Sequence, residues 1–356
     1  MNGKMKAVVI KSPQEFGVEF IDIPKPERGE VLVAVKSIAI CGSDPGIFGG
    51  KVLANGWPPY YPFVAGHEFA GEVVEVGEDV TLKIGDRVSG EAHCGCGICY
   101  NCKSGKYNLC LNYGNKEAGH KHYGHNTKGC YAQYQVYDQK SLTIMDKKIT
   151  YDEGTLVDTA GTAYHALELS GVKPGGVTVI IGPGPMGISA MVLAKAMGSA
   201  TIMIGRRERL AFAGKMGADF LIDYENVNDP IDEVFKLTNG IGADQVIEAA
   251  GNTTALLQSV RMARKGGHVS FISIPVTDEQ VIAVKYLVMN QITLHGTRAN
   301  PNCSQIILNM MKNGSISELK NMITHTFNID DIKEAFDTFI QRKDGAVKVI
   351  VHPFDS

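Results

Sequence analysis

Through the first 155 residues the apolar positions fall in short alternating runs, KAVVI, EVLVAVKSIAI, AGEVVEVG and DRVSG, broken by Pro, Gly and acidic turn residues. A period of two buries one face of each strand, so this stretch predicts an all-β, barrel-like region. From about Gly154 the pattern changes. Apolar strand candidates (VTVIIG, ATIMIG, DQVIEAAG, GHVSFIS, ITLHG) alternate with helix-like stretches such as GISAMVLAKAMG and TALLQSVRMARKGG. Strands alternating with helices predict βαβ units and a doubly wound parallel sheet. After about residue 296, CSQIILNMMKNGSI and DIKEAFDTFIQRK read as amphipathic helices and AVKVIVHP as a closing strand. That strand has no βα partner of its own and is expected to return to the first region.

Composition adds bounds. With 356 residues and 44% hydrophobic content, the α/β chain is expected to form two domains. The net charge is −3 and the 35 Lys and Arg are scattered, which argues against nucleic acid or an anionic membrane as partner and leaves a small molecule. The start, MNGKMKAVVI, has no apolar run of signal-peptide or transmembrane length, so a soluble, cytoplasmic protein is expected. Five of the eight Cys crowd into positions 94–110, which in an intracellular chain favours metal over disulfides.

The spacing Cys96-x2-Cys99-x2-Cys102-x7-Cys110 packs four soft ligands onto one loop, the pattern of a closed, structural zinc site; Cys94 lies outside it. A catalytic zinc needs mixed ligands and one open position. Cys41, His67 with its neighbour Glu68, and Asp158 are candidates, but they are far apart, and spacing alone does not separate them from structural or surface residues.

A strand, then Gly182-x-Gly184-x-x-Gly187 with Pro185 and Met186 between the last two glycines, then a helix, is a dinucleotide fingerprint in its proper context. The first Gly permits the turn, the second lets backbone approach a pyrophosphate, and the third lets helix and strand pack closely. At the end of the next strand, where NAD enzymes place an acid for the ribose, stand Gly205, Arg206 and Arg207. Two guanidinium groups suit a 2′-phosphate, so NADP(H) is expected over NAD(H); the alternative is that Glu208 holds the ribose of NAD.

Taken together, Cys41-Gly-Ser-Asp44, Gly66-His67-Glu68-x-x-Gly71, the four-Cys lobe and the fingerprint resemble the zinc-containing medium-chain alcohol dehydrogenase superfamily over essentially the whole chain. The resemblance implies a GroES-like catalytic barrel from residues 1–155 and 297–356, with a Rossmann domain, 156–296, between them. It implies two zinc ions per chain, with Cys41, His67 and Asp158 as catalytic ligands and Glu68 close enough to bind transiently. Ser43 matches the hydroxyl that receives the substrate's proton as hydride passes to nicotinamide. The implied substrate is a secondary alcohol or polyol, or the matching ketone, and relatives are commonly homodimers or homotetramers.

The sequence departs from the pattern at Gly46, where many relatives carry a proton-relaying His; Tyr164-His165 and the His120, His122, His125 group are conceivable substitutes. Phe48 and Trp57 are candidate pocket walls, though plain packing accounts for them equally well. Arg298 resembles a cleft-facing position of polyol dehydrogenases and would favour a polar or anionic substrate. Two other readings are a zinc-free quinone or enoyl reductase and a non-catalytic NADP-binding protein with structural zinc only.

Overall fold

The computed structural model describes residues 3–275 and 279–354; residues 1–2 and 355–356 of the expected barrel segments lie outside them. The chain divides into two compact units, one of Met1–Asp158, Ser304–Gly314 and Met322–Ser356, the other of Thr159–Cys303 and Ser315–Asn321.

The first unit is built on a seven-stranded sheet. At its centre the strand Glu30–Ala39 pairs antiparallel with Glu68–Val76, Tyr134–Asp138 and the closing strand Lys348–His352. The last pairing is the return of the C-terminus that its missing βα partner predicts. A hairpin, Lys4–Ser12 with Glu15–Asp22, bridges to Phe63 and Ala132. Its apolar face joins Val33, Val35, Phe69, Tyr131 and Phe336 in a continuous core.

The second unit is a six-stranded parallel sheet in the spatial order Phe220–Asp223, Ala200–Gly205, Val177–Ile181, Ala243–Glu248, Ala263–Phe271, Thr293–Gly296. The order reverses between the strands beginning at Val177 and Ala243, the switch point where such sheets bind ligands at the carboxyl ends of their strands. Helices such as Pro185–Ala196 and Thr253–Met262 pack against it. The ARKGG segment, expected as the tail of a helix, belongs to the strand Ala263–Phe271. Among the described residues no helix is long and apolar enough to cross a membrane.

Close strand approach explains the Gly at the end of Gly66-His67-Glu68-x-x-Gly71. A Cβ on Gly71 would lie 2.4 Å from the Ala34 carbonyl oxygen and 2.6 Å from a Val33 methyl. Gly71→Ala is therefore expected to force apart the strands that carry Cys41 and His67, costing about 1–3 kcal/mol and lowering Tm by several degrees. Thermal unfolding followed by circular dichroism checks this; an unchanged Tm would show that the pairing tolerates the methyl group.

Candidate metal and cofactor sites

The four Cys of the lobe converge. All four sulfurs lie within 4.8 Å of one another, with Cys96 and Cys102 3.9 Å apart and Cys99 and Cys110 4.0 Å apart. Sulfurs placed 2.3 Å from one ion at tetrahedral angles stand about 3.8 Å apart, so the set fits zinc. Amide donors point at the sulfurs: the N–H groups of Cys102 and Leu111 at Cys99 Sγ, each at 3.4 Å, and the Asn112 side chain at Cys96 Sγ, 3.3 Å. Burial opposes ionisation of Cys96, yet the amides of Ile98 and Cys99 outweigh it and bring the thiol to about 6, while burial pushes Cys102 up to about 12. Thiols driven apart in this way are balanced when a divalent cation lets all of them ionise.

The second cluster arises from strand register. Ala39 pairs with Glu68, so Cys41, just past one strand, meets His67, just before the other. Gly66 makes the approach possible: its φ is 96°, and a Cβ there would strike the Tyr131 ring at 2.5 Å. Donor atoms of Cys41, His67 and Glu68 lie within 4.8 Å of one another. Asp158, in the first turn of the helix Val157–Leu169, is outside that group of three, but its charge is felt by His67. Burial pushes the Asp158 carboxyl up to about 6 against the pull of His67, and Glu68 adds to the rise. Burial also disfavours charge on His67, but Cys41, Asp44 and Asp158 together hold its pKa well above the ordinary value. This surplus of acidic groups is the electrostatic signature of a cation site.

Two residues of the cluster went unassigned in the sequence. Asp44, fully buried, accepts hydrogen bonds from the Cys41 amide at 2.9 Å and the Tyr131 hydroxyl at 2.7 Å, and its other oxygen lies 3.7 Å from His67 Nδ1. At that separation, with neither atom hydrogen-bonded, Asp44 acts on the imidazole through its charge. Lys348, 2% exposed, pairs with Glu68. A lone Lys in the apolar run AVKVIVHP was the available signal, since a buried Lys requires a partner. Ser43, preceding the short helix Asp44–Phe48, keeps its Oγ buried without a hydrogen bond to any described residue.

A column of imidazoles stands over the cluster. His125 packs 4.7 Å from His67, His122 stacks on His125 at 3.8 Å with planes 5° apart, and His93 stacks on His122 at 3.9 Å. Trp57 meets His125 edge-on at 4.8 Å and donates to the Tyr113 hydroxyl, which bonds His122 Nδ1 at 2.6 Å. Trp57 is thus one ring from a candidate ligand. Phe48 is not: it is 3% exposed and sits in the core against Phe16, Phe336 and Tyr131. Tyr164 and His165 belong to the other unit, where His165 Nδ1 donates to the Ala299 carbonyl at 2.9 Å.

In that second unit Gly182 turns the chain with φ 105°, and Gly184 caps the helix Pro185–Ala196, with Pro185 and Met186 opening its first turn. A Cβ on Gly187 would lie 2.0 Å from the Gly182 carbonyl oxygen, so only Gly allows this helix start to close on the turn. The exposed amides and the helix dipole there suit a pyrophosphate. The Arg209 guanidinium reaches within 3.7 Å of where a Gly184 Cβ would stand, a cation beside this loop that the sequence left unassigned. A side chain at Gly205 would strike Pro183 at 2.4 Å, which excludes an acid at that position. Arg206 and Arg207 follow, exposed, and both contact Glu225. Arg298 is exposed two residues past the strand Thr293–Gly296.

Comparisons with known proteins agree with this geometry. Residues 27–147 match the alcohol dehydrogenase GroES-like domain and residues 185–313 the zinc-binding dehydrogenase family. The chain is similar to the sorbitol dehydrogenase of Bacillus subtilis strain 168, 31% identical over 98% of this chain and 97% of that one. It is 35% identical to the L-threonine 3-dehydrogenase of Bacillus licheniformis, over 99% of this chain and 100% of the relative. Its fold matches the crystal structure of 2R,3R-butanediol dehydrogenase from Bacillus subtilis with a TM-score of 0.86 and 29% identity, covering 98% of this chain and 100% of the other. Alike in sequence and fold over nearly its full length, the chain belongs to the zinc-containing medium-chain alcohol dehydrogenase superfamily, as an NAD(P)-dependent dehydrogenase acting on CH–OH donors.

Proposed function

We propose that this enzyme oxidises a secondary alcohol bearing a polar neighbour, a polyol or an amino alcohol, or reduces the matching ketone, with NADP(H) as preferred cofactor and two zinc ions per chain. The observation that carries this reading is the convergence of Cys41, His67 and Glu68 within 4.8 Å beside the unbonded Ser43 hydroxyl. Sorbitol, threonine and butanediol, named for the relatives, each carry a secondary hydroxyl next to a polar carbon.

Cys41 and His67 would hold the catalytic ion together with Asp158, and Glu68, which shares the close group with Cys41 and His67 and pairs with Lys348, would lie within reach of it. Bound there, zinc supplies Lewis acidity toward the substrate hydroxyl and the nicotinamide accepts the hydride. Asp44 supplies a buried negative charge behind the His67 ring. Ser43 Oγ accepts the hydroxyl proton while passing its own on toward solvent, as the carbinol carbon loses its hydrogen with both electrons and C=O forms. Trp57 and His125 wall the substrate side, where His125 Nε2 is the ring nitrogen not engaged by the Tyr123 carbonyl. Arg298 favours a polar or anionic substituent on the substrate. In the cofactor unit, the turn and helix start at Gly182, Gly184 and Gly187 take the pyrophosphate, and Arg206 and Arg207 take the 2′-phosphate.

Metal analysis is expected to find two zinc ions per chain, and Cys41→Ala to retain one, still bind NADPH and lose turnover; one ion in the native enzyme would favour a purely structural zinc. Ser43→Ala is expected to lower kcat by about 10²-fold or more with both ions retained, and full activity would remove Ser43 from proton transfer. In an NADPH and NADH screen over ketones, ketoses, polyols and amino alcohols, kcat/KM is expected to be highest for substrates with a vicinal polar group; a preference for plain aliphatic ketones would reject that substrate class.

A further inference from the structure

The two arginines expected to read the adenosine ribose are already engaged. Arg206 Nη1 lies 2.7 Å from Glu225 Oε1, while Arg207 grips both carboxylate oxygens, Nε to Oε2 at 2.9 Å and Nη2 to Oε1 at 3.1 Å. The arrangement is built into the sheet. Gly205 pairs with Asp223 in parallel register, so the residues just past the two strands face each other. The Glu225 amide is pinned by Asp223 Oδ1 at 3.0 Å, and the Arg206 guanidinium lies 5.8 Å from the Tyr224 ring centroid. Arg207 keeps a left-handed backbone, φ 52°, which an L-residue adopts only with compensation; its two bonds to Glu225 supply one. Arg207, then Arg206, hold the Glu225 carboxyl below the usual range, so it is ionised at neutral pH.

A carboxylate and a phosphate monoester use the same guanidinium fork. We propose that Glu225 is a built-in competitor for the 2′-phosphate of NADP: it holds Arg206 and Arg207 in place, must yield when the phosphate binds, and so narrows the preference for NADP over NAD. This rests on the reading that the two arginines face the adenosine ribose. A 2′-phosphate brings nearly two negative charges at neutral pH, against one on Glu225, so it can win the fork. Glu225 then remains as a like charge nearby and limits the gain. NAD, which has only a ribose hydroxyl there, neither displaces Glu225 nor is repelled by it.

The test is equilibrium binding of NADPH and NADH, followed by cofactor fluorescence, to the native enzyme, to Glu225→Gln and to the Arg206→Ala/Arg207→Ala double variant. Glu225→Gln keeps the side-chain shape and removes the charge. It is expected to tighten NADPH about fivefold at low salt, less at high salt, and to leave NADH within about twofold. Unchanged or weaker NADPH binding overturns the proposal, and so does a loss of NADH affinity, which would make Glu225 the ribose acceptor. The underlying reading fails separately: if the double arginine variant leaves the native ratio of NADPH to NADH affinity intact, the arginines do not read the phosphate.

Discussion

Four acidic groups, the Cys41 thiol and the carboxyls of Asp44, Glu68 and Asp158, are gathered inside one barrel with His67 and Lys348 as their cationic neighbours. Each charge taken out of water costs several kcal/mol unless an opposite charge or hydrogen bonds compensate. Lys348 compensates Glu68, the Cys41 amide compensates Asp44, and His67 hydrogen-bonds the Cys41 side chain, whereas Asp158 feels His67 and Lys348 only as nearby charges and rises to about 6. A cluster assembled this way is poised for a divalent cation. Its geometry follows from one pairing, Ala39 with Glu68, and from two glycines, Gly66 and Gly71, that let the strands come close.

The cofactor unit meets its requirement by different means. There the demand is for backbone, not side chains: a turn with positive φ at Gly182, no Cβ at Gly187, and a helix start whose amides face outward. Pro183 then has a secondary effect, since it occupies the space into which a side chain at position 205 would project. The absence of an acid at the end of the strand Ala200–Gly205 is thus a packing consequence of the loop as well as a matter of cofactor choice. Recognition of the ribose passes to residues beyond the strand ends.

Legibility in the sequence follows the distance over which each feature is assembled. The Cys lobe and the glycine fingerprint lie within fifteen and six consecutive positions of the chain, and local spacing states their chemistry outright. Cys41, His67 and Asp158 are joined only by strand register and a helix start, so the residues alone left them ambiguous and resemblance to a family singled them out. Asp44, Lys348, Arg209 and Glu225 act across elements, through a buried carboxylate behind an imidazole, a cation in an apolar strand, a guanidinium by a glycine turn and a carboxylate just past the neighbouring strand. Phe48 shows the converse. It lies between two candidate ligands in the chain, yet its helix turns it into the core beside Phe336, from the far end of the sequence.

Assembly across elements also accounts for the order of the rings beside His67. What stands over His67 is His125, backed by His122 and His93. The rings of His122 and His125 are nearly parallel, and a metal must lie in the plane of each imidazole it binds, so these two cannot converge on one ion. Their order has another source: His125 Nδ1 can only donate to the Tyr123 carbonyl, and His122 is tied through Tyr113 to Trp57. Two loops without secondary-structure periodicity are thereby stitched into one wall of stacked rings beside His67, held by hydrogen bonds that neither loop could make alone.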